Sequence, residues 1–247
     1  MNPYGSHSDD FYLYCYLNTE MELPSARDTV LHFFGQVSKA FPTMTNFYTR
    51  ETNEFVLEED KEAGSYRWMS LEPKRLASGY LNPPELADCH GQHELMLDMA
   101  PHTLAVSNLD CEALDVMFGF DFAYKGNHDE VVGQAFALNS RFESFLQIPS
   151  ARMVNFEPNM TLALDEQCKL QARLGIVTRT NSYQVRTSQY GEESISVYFT
   201  IRQYWGLGAE KSFVEAYRKQ VELGIELLDA HVIPNVVVPL SEAISMR

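Results

Sequence analysis

Two stretches of the chain hold residue types that could do chemistry. The first is Asp88, Cys89, His90, His93 and Glu94, followed by Asp98 and His102. Imidazoles three residues apart can share one side of a helical turn, and a thiolate or carboxylate could complete a shell around one ion. On that expectation the protein is a metal-dependent enzyme with its site in the 88–102 region and His90, His93 and His102 as ligands. The spacing matches no standard zinc motif, and His93-Glu94-Leu95-Met96-Leu97 lacks the second histidine of H-E-x-x-H. The plainer expectation is a polar loop whose histidines face solvent, with neither metal nor cofactor.

The second stretch runs from Lys169 to Gly191. It carries Lys169, Arg173, Arg179 and Arg186 and no acid, in a chain of 34 acids, 19 bases and net charge -15. Gln171, Gln184, Tyr183, Tyr198 and Arg202 lie nearby in what reads as the same sheet. A polar, arginine-bearing sheet face suits an anionic small molecule, the acidic surface of a partner protein, or a second copy of the chain. Arg173, Arg179, Arg186, Tyr198 and Arg202 are therefore the candidate binding residues of a non-catalytic binding or assembly module. A solvated outer face would alternate in the same way. Trp68 and Trp205 each close a strand containing tyrosine, as cleft-lining or core residues do.

Other chemistries find little support. There is no G-x-S-x-G and no G-x-x-x-x-G-K-[ST]. Gly206-Leu207-Gly208 stands between a strand and a helix, where a phosphate loop would, but the place of the third glycine is taken by Lys211. The acidic balance disfavours nucleic acid and anionic membrane surfaces as partners. No wholly apolar run approaches the roughly 20 residues that cross a bilayer. The opening residues show no secretory pattern, and Cys15, Cys89, Cys111 and Cys168 form no C-x-x-C pair. A cytoplasmic protein with reduced thiols is the expectation, and 45% hydrophobic residues are ample for a core.

The elements that must position these groups follow from periodicity. Phe11 to Leu17 alternates as a strand with bulk on both faces, which implies cover on both sides. A helix capped by Ser25 runs to Phe41 with Val30, Phe33, Phe34 and Val37 as its stripe. Extended pieces are expected at 46–49, 54–57, 66–71 and 78–81, with the acidic run 58–62 as a solvated hairpin tip. In 85–112, Leu95, Leu97 and Met99 alternate as in a strand. Asp115 to Tyr124 is the clearest strand, and the spacing predicts a helix from Asn127 to Leu146. Strands follow at 155–164, 169–178, 183–187 and 195–205, then a helix from Ser212 to Pro234 and a short strand at 236–238.

Three of these helices share a plan. Each follows a strand, each has a short polar capper with an acid three residues on (Ser25/Asp28, Asn127/Glu130, Ser212/Glu215), and each closes on an apolar residue and proline. The expected fold class is therefore α+β: two related strand-helix-strand-strand halves, 1–110 and 111–247, forming antiparallel sheet with helices on one face, plus a C-terminal strand-helix unit. The plan is similar in topology to that of bacterial effector-binding domains, without any motif of that family.

Overall fold

A computed structural model describes residues 2–50, 53–138, 140–206 and 212–247. In chain order the elements are β1 (Asp10–Thr19), α1 (Arg27–Ala40), β2 (Asn46–Thr49), β3 (Phe55–Glu58), β4 (Tyr66–Glu72), β5 (Arg75–Leu81) and α2 (Leu86–Thr103). Then come β6 (Cys111–Ala123), α3 (His128–Ala137), α4 (Glu143–Leu146), β7 (Asn159–Ala163), β8 (Leu170–Val177), α5 (Ser182–Thr187), β9 (Ser194–Tyr204) and α6 (Phe213–Leu227). A π-helical stretch, Leu228–Val237, leads without a break into α7 (Val238–Ser245). The class is α+β, as the alternating patterns imply.

Among the described residues nine strands form one antiparallel sheet in the order β2-β3-β4-β5-β1-β6-β9-β8-β7. At its centre β1 pairs with β6, so the sheet runs unbroken across the boundary expected near residue 110. Outward from that pair the order is β5, β4, β3, β2 on one side and β9, β8, β7 on the other. Each central strand is followed by a helix (α1, α3), and so is each strand beside it (α2 after β5, α6 after β9).

The helices lie on one face because only one face of each central strand is aliphatic. Phe11, Leu13, Cys15 and Leu17 of β1, Phe118 and Phe120 of β6, and Val197 and Ile201 of β9 are buried beneath them. Gly224 of α6 shows the closeness of that packing: a Cβ there would stand 2.7 Å from the Phe118 ring. Two helix glutamines tie helix to sheet. Gln92 donates its side-chain N–H to the carbonyls of Trp68 and Gly79, and Gln220 does the same to Leu114 and Ile201. The buried glutamine N–H groups are thereby bonded.

Several expectations are corrected here. The 85–103 stretch is helix, not strand. Cys89, Gln92, His93, Met96 and Ala100 form its buried stripe, and two polar members of that stripe hide the helical period. The 183–187 stretch is the helix α5, opened by a full capping box between Asn181 and Gln184. Pro234 does not end the last helix, and 236–238 is not a strand. The proline falls within the π-helical stretch, whose wider i→i+5 turns accommodate a residue without an N–H, and the helix continues to Ser245. Ser25 is not a cap, since α1 begins after Ala26 with no side-chain cap. Asn127 and Ser212 do cap, accepting from the Glu130 and Glu215 amides.

The helix expected over 127–146 is α3 alone followed by one short turn, with Phe142 and Phe145 exposed. The strand expected at 155–164 is confined to β7. Residues 213–245 are long and apolar enough to cross a bilayer by length and composition. In this structure α6 instead lies on β6 and β9, and α7 packs on α3.

Candidate functional site: the open face of the sheet

The face opposite the helices is organised in rows, because antiparallel register sets same-facing residues side by side. One row crosses the whole sheet: Asn46, Glu58, Trp68, Gly79, Tyr14, Met117, Thr200, Arg173 and Thr161. The next holds Tyr48, Val56, Ser70, Ala77, Tyr16, Asp115, Arg202, Gln171 and Ala163. On the other side of the first row, Tyr66, Leu81, Tyr12, Gly119, Tyr198, Gly175 and Asn159 align. The tyrosines of β1, expected to lie under a cover of their own, belong to this helix-free face.

They are nevertheless largely buried, by one another and by glycine. The Tyr12 ring lies over Gly119 and the Trp68 indole over Gly79, where an added Cβ would come within 1.9 Å and 2.4 Å of the rings. Tyr12 stacks on Tyr14 at 4.7 Å, and Tyr14 meets Trp68 edge-on at 5.0 Å. Burial lifts the pKa of the Tyr12, Tyr14 and Tyr16 phenols well above the ordinary value, so all three stay protonated donors.

Beside this aromatic floor is a cleft of about 270 Å³, lined by Tyr14, Tyr16, Tyr66, Trp68 and Val56. Its charged lining comes in three couples: Arg50–Glu54 at 2.6 Å, Lys61–Glu58 at 3.0 Å and Arg75–Glu72 at 2.7 Å. Glu58 was expected on a solvated tip. Its side chain is 5% exposed, and Asn46 also donates to it. The cleft is thus polar at its walls, flat and aromatic at its floor, and close to neutral.

The arginines anticipated from the sequence divide into two groups. Arg173, Arg202 and Tyr198 do share the open face, on β8 and β9. Arg173 and Arg202 both stand over the Tyr204 ring, at 5.9 Å and 4.9 Å. Arg202 lies 3.4 Å from Asp115, whose pKa is raised by burial against the pull of that guanidinium. Among the described residues, the hydrogen bonds of Arg173 go to neutral groups, Gln171 and the Tyr204 hydroxyl. Arg179 does not join them. It follows β8 and clamps the start of β9, donating to the Ser194 carbonyl and the Ser196 hydroxyl. Arg186 is on α5, over the Tyr183 ring.

The histidines do not converge. His93 is fully buried in α2 with both ring nitrogens engaged: Nε2 donates to the Leu13 carbonyl and Nδ1 accepts from Ser78, whose hydroxyl accepts in turn from Gln92. Burial lowers its pKa to about 3. His90 Nδ1 meets the Tyr217 hydroxyl at 2.8 Å. His102 lines a separate cavity of about 380 Å³ with Asp98 and Ser212. Among the described residues no three His, Cys, Asp or Glu side chains gather as a metal site. In the 88–102 region His93 takes part in buried helix-to-sheet bonding. The glycine loop at Gly206-Leu207-Gly208 with Lys211 lies largely outside the described residues.

Sequence reading missed the cleft, although its tryptophan had been marked as a cleft-lining alternative. Tyr14 and Trp68 meet only because β5 pairs with both β1 and β4, and that non-local pairing has no local signature. No protein-family model matches the chain, and no curated protein matches it.

Proposed function

We propose that the protein is a non-catalytic binding module that takes a planar small organic molecule on the open face of its sheet. The observation that carries this is the cleft beside Tyr14 and Trp68, where an aromatic floor meets paired charges that can exchange partners with a ligand. Flat side chains give large contact area with few rotors to freeze, which suits a flat ligand. A second reading rests on Arg173, which hydrogen-bonds only to neutral groups among the described residues. It lies with Arg202 near the buried Asp115, so that an anionic ligand or an acidic partner could meet two guanidinium groups at the other end of the face. The matching order of helices on the two sides of β1–β6 supports reading the halves as copies of one unit, with four strand-helix pairs in place of three.

The test uses fluorescence, because Trp68 is in the cleft while Trp205 packs on Phe213 far along the chain. In a Trp205→Phe background, three planar dyes are titrated: anionic anilinonaphthalenesulfonate, neutral phenylnaphthylamine and cationic acridine orange. Saturable quenching of Trp68 by at least one dye, weakened tenfold or more in Tyr14→Ala, supports the cleft. Quenching that is absent, or unchanged in Tyr14→Ala, overturns it. Quenching by the sulfonate that is lost in Arg173→Glu and retained in Tyr14→Ala favours the second reading.

A further inference from the structure

The edge strand β7 is open along its outer side. It is the last strand of the sheet, and all five of its residues are exposed. From Pro158 to Leu164 there is no charged side chain, in a chain of net charge -15. Soluble proteins ordinarily guard such an edge with charge, a central proline or a bulge, because its free N–H and C=O groups are a template for another strand. The opposite edge, β2, is likewise uncharged along its four residues, and at both edges the charges stand only at the strand ends. At β7 the side chains on the helix side are Met160 and Leu162, each about half exposed.

Backbone geometry fixes which groups of β7 are open to a partner. The Leu164 amide donates to Leu170, and the Pro158 carbonyl accepts from Ile176, so even-numbered residues of β7 bond inward to β8. In an antiparallel ladder the alternate residues then point the other way. Asn159, Thr161 and Ala163 thus direct their N–H and C=O groups out of the sheet.

We infer that two copies of the chain join through β7, antiparallel about a two-fold axis at Thr161. In that register Asn159 bonds Ala163 of the other copy, Thr161 bonds its own equivalent, and every outward group of the strand is used. Met160 faces Leu162 across the axis on the helix side, an apolar cross-strand pair at both ends. The interface is isologous, so the pairing closes at two copies. Glu157 and Asp165 bound the uncharged window and come opposite one another at its two ends, so the pairing should tighten as salt screens them. The exposed Phe142, Phe145 and Ile148 precede β7 in the same run of chain and offer further apolar surface. The inference does not depend on the cleft, which belongs to the other half of the sheet.

The test is sedimentation of the full chain with amide exchange read by NMR. The wild type is expected at twice its 28.2 kDa mass at tens of micromolar. Thr161→Pro removes an outward N–H without touching the bonds to β8, and Leu162→Lys places a charge beside the axis, against Met160 of the other copy. Both are expected as monomers with wild-type circular dichroism. In the wild type, dilution should speed exchange at Asn159, Thr161 and Ala163 and leave Met160 and Leu162 slow, a readout that needs no variant. A monomeric wild type, dimers in folded variants, or outward amides whose exchange ignores concentration would each overturn the inference.

Discussion

The two ends of the sheet, four strands outward of β1 and three outward of β6, are finished differently. On the β2–β5 side, α1 seals the helix-side face with Val30, Phe33, Phe34 and Val37 buried, and the open face is shaped into a cleft. On the β7–β9 side, α3 is shorter and packs on α7, while Phe142, Phe145, Met160 and Leu162 stay exposed. One end is closed beneath and open above to small molecules; the other is left unfinished along its edge. The two proposals divide along this difference, a ligand at the finished end and another chain at the unfinished one.

The largest expected effect tests whether the finished end is a true core. Phe34 is 3% exposed and meets the Phe33 ring edge-on at 5.1 Å, whereas Phe145 is 65% exposed. Phe34→Ala should cost about 3–5 kcal/mol in urea unfolding, as truncation of a buried aromatic does. Phe145→Ala should stay within about 0.5 kcal/mol, the range of exposed sites without special contacts. Comparable losses at both positions would mean that the two ends are packed alike, and the contrast would fail.

How far the sequence revealed this arrangement depended on the length and one-sidedness of each element. β1, β6 and β9 were legible because ten or more residues alternate against a single helical layer. α2 was not, because Gln92 and His93 occupy its buried stripe to bond strand carbonyls, and they break the apolar period a helix normally shows. α5 was misread although Asn181 and Gln184 spell its capping box, since six residues carry too little periodicity. The cleft could not be read at all. It needs Tyr14, Trp68 and Glu58 in one row, and that row is created by register across β1, β5, β4 and β3.

His93 sharpens the comparison through pH. The residue after Gln92 is this histidine, while the residue after Gln220 is Val221, so a buried titratable group follows the helix glutamine only in α2. The folded-state pKa is about 3 against an ordinary 6.5, so between those values the unfolded chain binds a proton that the folded chain refuses. Its contribution is fully present above the upper value and falls as pH drops toward the lower. From pH 7 to pH 4.5 the loss should be about 2–3 kcal/mol, from roughly 1.4 kcal/mol per unit. His93→Leu should flatten that part of the profile, measured by urea midpoints at both pH values. A variant that keeps the wild-type slope would place the acid sensitivity elsewhere.

The smallest effect concerns the floor of the open face, where two glycines share one row. A Cβ at Gly119 would fall 1.9 Å from the Tyr12 ring, while at Gly175 the nearest atom is 3.5 Å away on Asn159. Tyr12 is 4% exposed and its hydroxyl bonds Asp121, so it has little room to retreat. Gly119→Ala should therefore cost about 1–3 kcal/mol through overpacking. Gly175→Ala should be neutral or gain about 0.5 kcal/mol, because glycine within a strand is entropically unfavourable. Thermal unfolding of the two variants side by side measures the asymmetry. If both alanines are tolerated equally, the aromatic floor is not the rigid surface that cleft recognition requires.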